Sequence, residues 1–305
     1  MRVRVAITGG TGFVGTHLAG LLRTRGHELV LVSRGRHPAR AGDGVRTARG
    51  DVVTGEGLDQ AFAGCDAVVH LAAVIVEKGG QTLDRVNHGG CAHTARAARD
   101  AGVAHLVHLS AVGAGPDPRY AYLRSKWAGE QAILLSGIPV TILRSSLIFG
   151  PGDGFFTRLA LLARLTPPFV PIPVAGDGRA LFSPISVGDV ALCIALSLEG
   201  GPAMRTIEIG GPEQLTYARI LEIVRGEVTR LPRPLVRVPV PLIRPVAAAM
   251  AALLPNPPVT PGQLDLLGSS NITTTQAVAS AFGFQPARFT ESCAYLRERG
   301  GGRAG

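Results

Sequence analysis

The first fifteen residues constrain this chain more than any others. Val3-Arg-Val-Ala-Ile7 is a short apolar run of strand length. Glycines follow at Gly9, Gly12 and Gly15, with Thr11 between them, and an apolar helical pattern begins at once with Phe13, Val14, Leu18, Leu21 and Leu22. Glycine lets a backbone turn sharply and approach an anion closely. A helix N-terminus presents unpaired N–H groups and a partial positive charge. Strand, glycine turn and helix in that order predict a cradle for a pyrophosphate, lined by Gly9, Thr11, Gly12, Phe13, Val14 and Gly15.

The rest of the first half repeats the alternation. Strands are predicted over 3–7, 28–33, 45–51, 67–71, 105–110 and 140–143, with helices over 12–25, 57–63, 81–101 and 119–136. Such alternation means right-handed crossovers, a doubly wound parallel sheet with helices on both faces, and an α/β fold. A ligand then belongs at the carboxyl ends of the strands. After 150–154 the texture changes, with prolines at 167, 168, 171 and 173 and again from 232 to 261. Residues 1–150 are expected to form a nucleotide-binding core. Residues 151–305 are expected to form a small C-terminal α/β lobe on the substrate side, with some segments returning to the core. The apolar stretch 236–254 is broken by Arg237, Arg244 and three prolines, so it is no transmembrane segment and reads as a buried or interfacial helix.

Composition narrows the partners. The 305 residues are 46% hydrophobic and 17% charged, as in a globular chain. The net charge of +9 comes from scattered basic residues, of which only Lys78 and Lys126 are lysines, and aromatics are 5%. No continuous basic face with interleaved aromatics emerges, so nucleic acid is excluded as a partner. Cys65, Cys91, Cys193 and Cys293 are far apart and read as reduced core residues. No metal site is expected from the eight histidines. The chain reads as cytoplasmic, with peripheral association at the inner face of a membrane left open.

Two places carry chemistry. The second strand ends Ser33-Arg34, with Arg36 close behind and no acidic residue. An acid there would take a ribose 2′-hydroxyl, whereas a small polar residue with arginine suits a 2′-phosphate, so NADP(H) is expected over NAD(H). Asp51, followed by Val52, is placed to reach an adenine amino group, and Leu71-Ala72-Ala73 would let the backbone lie against the cofactor. The second place is Tyr122-Leu-Arg-Ser-Lys126, where i and i+4 share a helix face. A nearby ammonium, together with an oxidised nicotinamide, would lower the phenol pKa into a useful range, and Lys126 would also hold the nicotinamide ribose. Asn87 would bridge a water to the lysine or cap a kink.

In order, Thr8-Gly-Gly-Thr-Gly-Phe-Val-Gly15, Gly50-Asp-Val, His70-Leu-Ala-Ala, Val86-Asn87, His108-Leu-Ser110 and Tyr122-x-x-x-Lys126 resemble the short-chain dehydrogenase/reductase superfamily. The resemblance is to its extended or atypical branch, the NAD-dependent epimerase/dehydratase-like proteins. Leu143-Arg-Ser-Ser-Leu-Ile-Phe-Gly-Pro-Gly-Asp153, Ile209-Gly-Gly-Pro-Glu-Gln-Leu-Thr-Tyr217 and the stretch 257–267 resemble the group of the complex I NAD(P)-binding accessory subunit. The resemblance implies a Rossmann-type fold. It further implies hydride transfer at a carbonyl or carbinol carbon of a small-molecule substrate, with Tyr122 moving the proton and Ser110 polarising the carbonyl. Ala111 stands where the branch often has a hydroxyl, and Ser145 where it has proline. These departures keep an alternative open: a non-catalytic NADP(H)-binding structural or regulatory protein, with association to a respiratory complex.

Overall fold

The computed structural model describes residues 2–35, 44–117, 119–167, 170–201, 204–229, 234–253 and 259–297. Arg36, one of the expected cofactor contacts, lies outside them. The chain forms two compact units: Met1–Ser145 with Val187–Ile209 and Ala277–Phe284, and Ser146–Ser186 with Gly210–Gln276 and Gln285–Gly305.

The first unit is an α/β sheet of Rossmann type. Strands β1 (Arg4–Thr8), β2 (Glu28–Ser33), β3 (Val45–Arg49), β4 (Ala67–His70), β5 (His105–Ala111) and β6 (Val140–Ser145) join a last strand, Thr206–Ile209. Their order is Thr206–Ile209, β6, β5, β4, β1, β2, β3, and every pairing is parallel. Ile7 lies opposite both Leu31 on β2 and Val69 on β4. The order reverses between β1 and β4, which opens a crevice at their carboxyl ends. Helix α1 (Phe13–Thr24) packs with Val187–Leu198, while α2 (Leu58–Phe62), α3 (Gly90–Asp100) and α4 (Ala121–Leu134) pack together. The strands are buried apolar runs because helices cover both faces; Val5, Ala6, Ile7, Val68, Val69, Leu106 and Val107 are all buried.

The long helix expected over 81–101 is divided. Asp84–Gly89 is a π-helical turn that runs into α3. The wider turn meets α4 where α4 has no side chain: a Cβ on Gly129 would stand 2.3 Å from the Asn87 carbonyl oxygen and 2.8 Å from the Cys91 sulfur.

The second unit is built from short pieces. Ile172–Ala175 pairs with Leu235–Val238 in parallel, and Leu181–Phe182 pairs with Leu215–Thr216 antiparallel. Its core gathers Phe149, Phe156, Phe182, Ile220, Leu221, Val224 and Phe289. Thr216 caps Tyr217–Val228, accepting from the Arg219 N–H at 3.1 Å, and Thr260 with Gln263 forms a capping box on Pro261–Leu267. The apolar stretch expected to be buried or interfacial folds as the helix Val240–Leu253, of which only Ala247 is fully buried. Among the described residues no helix is long and apolar enough to cross a membrane. All four cysteines are buried and free.

Candidate active site

The glycine turn is held by its own shape. Gly9 has φ +72°, a left-handed conformation that L side chains rarely adopt, and a Cβ there would lie 2.8 Å from the Ala72 nitrogen. This is where β1 passes the chain leaving β4, and the Leu71 N–H donates to the Thr8 carbonyl at 3.0 Å. A Cβ on Gly15 would stand 2.4 Å from the Gly9 carbonyl oxygen, so the first turn of α1 sits directly on the loop. Gly12 begins α1 with no side-chain cap and no acidic residue in the first turn, which leaves the helix N-terminus to an anion. The tight glycine turn with its uncapped helix N-terminus fits a pyrophosphate.

At the end of β2, the Ser33 hydroxyl accepts from the Gly35 N–H at 3.3 Å and Arg34 is exposed. Asp51 lies in the turn after β3. Its Oδ1 accepts from the Val53 N–H at 2.8 Å, an Asx turn. Val52 packs on the core, and its carbonyl oxygen lies 2.9 Å from His93 Nδ1. Leu71 and Ala72 are half-buried and Ala73 is exposed, all beside the glycine turn at the mouth of the crevice.

Asn87 is buried and committed to structure. Its Oδ1 accepts from the Val74 N–H, and its Nδ2 donates to the Val74 carbonyl and the Ser125 hydroxyl, each at 2.9 Å. It ties the segment after β4 to α4 and so fixes the helix that carries Tyr122 and Lys126. Both of its amide protons are used by protein groups.

Tyr122 and Lys126 share one face of α4, but the ammonium turns inward. Lys126 is buried and donates from Nζ to the Leu109 carbonyl of β5 at 2.7 Å. Burial lowers its pKa, while Cys91 and Glu130 act to raise it. The half-buried Tyr122 has its pKa pushed up to about 12 by desolvation. In the molecule without cofactor, the ammonium's hydrogen bond goes to β5. Ser110 is buried, and its hydroxyl finds no partner in the protein. Such an orphan is uncommon, and it fits a group that a ligand completes. Ala111, next to it, is buried and offers no hydroxyl.

Beneath the lysine lies a cluster that spacing alone did not single out. Thr8 Oγ1 and Thr94 Oγ1 lie 2.7 and 3.2 Å from His70 Nδ1. The His70 and His108 rings stack at 5.3 Å, 24° from parallel. Burial drives both histidines down, His70 to about 3, and Lys126 adds to the effect, so both are neutral near pH 7. His70, Cys91 and His108 bring metal-ligating atom types within 4.8 Å of one another. Arg144 of β6 forks onto the buried Glu130 of α4 at 2.9 and 2.6 Å.

Residues 5–210 match the NAD dependent epimerase/dehydratase family. The chain belongs to that family. It is 27% identical over 287 residues to NADH dehydrogenase (ubiquinone) 1 alpha subcomplex subunit 9 of Arabidopsis thaliana mitochondria, covering 90% of this chain and 70% of that protein. In fold it resembles the Bordetella bronchiseptica enzyme WbmH in complex with NAD+, at 19% identity and a TM-score of 0.71, over 98% of this chain and 99% of that one. It likewise resembles the UDP-glucose 4-epimerase of Thermus thermophilus in complex with NAD, at 22% identity and a TM-score of 0.69, over 96% of both chains.

These comparisons correct two expectations. NADP(H) was expected over NAD(H), yet both solved structures hold NAD. At the end of β2, Arg34 is exposed and the Ser33 hydroxyl is engaged by the Gly35 N–H. The reading as an NADP(H) enzyme or, alternatively, a non-catalytic NADP(H)-binding protein is corrected with it, because both neighbours in fold are enzymes that hold NAD.

Proposed function

We propose that this protein is an NAD-dependent enzyme of the epimerase/dehydratase type that acts on a sugar nucleotide, with Tyr122 as its acid–base group. The observation that carries the reading is the glycine cradle at Gly9–Gly15, set at the sheet's reversal point on the same carboxyl edge as Ser110. In this reading the α1 N-terminus binds the pyrophosphate, Asp51 takes the adenine amino group on its second oxygen, and Ser33 takes the ribose hydroxyl. Bound NAD supplies hydride acceptance and return at a carbinol carbon. Tyr122 removes and restores the hydroxyl proton, Lys126 keeps two further N–H donors for the nicotinamide ribose, and Ser110 donates its unpaired hydroxyl to the substrate oxygen. The finer likeness to the complex I accessory subunit rests on the Arabidopsis relative, and the resemblance to UDP-glucose 4-epimerase supports the substrate class.

The test is a panel of uridine, thymidine and guanosine diphosphate sugars incubated with the protein and NAD, beside Tyr122→Phe, with products read by NMR. Turnover that falls by about 100-fold or more in the variant, with NAD binding kept, is expected. Tight NAD binding without turnover on any sugar nucleotide, or a variant as active as the parent, refutes the reading.

A further inference from the structure

The helix Val240–Leu253 does not behave as a core helix. Val240, Ile243, Ala247 and Met250 recur at helical spacing and are its half-buried and buried positions. A second stripe, Leu242, Val246, Ala249 and Leu253, faces outward, with Leu242 67%, Val246 57% and Leu253 81% exposed. Pro245, Val246, Ala249, Met250 and Leu253 line an open groove of ≈ 480 Å³ with apolar walls. Isolated exposed apolar residues need no explanation, but a continuous stripe on one helix does.

Charge says what covers it. From Val228 to Leu264 the chain has no aspartate or glutamate and carries Arg230, Arg233, Arg237 and Arg244. Arg244 is held on Asp265 at 2.7 and 3.2 Å, at the edge of the helix. Arg237 is exposed on the strand Leu235–Val238 that leads into the helix. An exposed apolar stripe in an acid-free, arginine-bearing segment matches a lipid interface: acyl chains take the stripe and anionic headgroups take the exposed Arg237.

We propose that Val240–Leu253 is a peripheral membrane-docking helix that binds anionic bilayers, with Leu242, Val246 and Leu253 entering the interface and Arg237 meeting the headgroups. This is independent of the reaction the protein performs.

The experiment uses the full chain with vesicles of phosphatidylcholine alone, or of equal parts phosphatidylcholine and phosphatidylglycerol, in low and high salt. The protein sediments with the phosphatidylglycerol vesicles in low salt, and at least tenfold less with phosphatidylcholine or in high salt. The double variant Leu242→Asp/Val246→Asp binds at least tenfold more weakly with an unchanged circular dichroism spectrum, since both side chains are already in water. Arg237→Ser weakens binding severalfold and leaves the apolar stripe untouched. No sedimentation with anionic vesicles overturns the proposal, as does a double variant that binds like the parent. Light scattering that shows a dimer broken by the double variant, without vesicle binding, assigns the stripe to a second copy of the chain and also overturns it.

Discussion

Replacing Gly15 by alanine separates the shape of the cradle from the composition of its helix. A Cβ at 15 would stand 2.4 Å from the Gly9 carbonyl oxygen and 2.6 Å from the Gly10 Cα, where ordinary contacts begin at 3.4 Å. The neighbours are backbone, so loop and helix must separate by about 1 Å, an overpacking strain of about 1–3 kcal/mol. Alanine recovers about 1 kcal/mol of helix propensity, so Gly15→Ala costs the fold about 2 kcal/mol at most. The larger effect is on the ligand. The displaced N–H groups are those that meet the pyrophosphate, and losing one hydrogen bond to a charged group costs about 1.5–3 kcal/mol, which is about tenfold or more in Kd for NAD. Gly20→Ala in the same helix is the control, because nothing lies within 4 Å of its Cβ. It should raise stability by about 0.5–1 kcal/mol and leave NAD affinity unchanged. Calorimetric titration with NAD and urea unfolding measure both. Gly15→Ala that binds NAD within twofold of the parent refutes the placement of the pyrophosphate, and so does equal weakening by the two variants.

Ser110→Ala removes a buried hydroxyl that has no partner, so unfolding free energy should change by less than about 0.5 kcal/mol, while kcat on the sugar nucleotide falls by about tenfold or more; an unchanged kcat removes Ser110 from the reaction. The neutral histidines set the response to acid. His70 and His108 have folded pKa values depressed by burial, so the unfolded chain takes up protons that the native chain does not. Their contribution to stability is present above pH 6.5 and is lost as pH falls toward 3, at up to about 2.7 kcal/mol per pH unit for the two together. Urea midpoints that stay level from pH 7 to pH 5 would contradict this.

Local spacing made the glycine turn legible: strand, glycines and helix follow one another in sequence. The alternation of strands and helices made the sheet legible in the same way. What spacing cannot show is where a side chain goes after the chain has folded. Asn87 reaches Val74 and Ser125, and Ser125 lies on a different helix. Glu130 on α4 finds Arg144 on β6, although each looks like an ordinary surface charge in sequence. Cofactor choice failed for the same reason: arginine after β2 is a matter of type and position, but preference depends on where the guanidinium goes once the chain has folded. The helix Val240–Leu253 reads as buried or interfacial in sequence, and its packing shows that most of it faces outward.

Tyr122 and Lys126 define what the site must still gain. Without cofactor the phenol is pushed up to about 12 by desolvation alone, and the ammonium is bonded to the Leu109 carbonyl. A base that works near pH 7 must come down by about 5 units, about 7 kcal/mol of preferential stabilisation of the phenolate. In a dry site, the positive charges of Lys126 and of an oxidised nicotinamide are the means to supply it. Lys126→Met should therefore leave the phenol of the cofactor-free protein where it is, read at 295 nm as the difference from Tyr122→Phe. In the working enzyme the same variant should move the rising limb of the kcat/KM profile to higher pH by about 1–2 units, because phenolate forms less readily without the ammonium. Activity at pH 7 then falls, and part of it returns at pH 9. A uniform loss with no shift along the pH axis would mean that Lys126 only braces β5 against α4, and that the acid–base pair lies elsewhere.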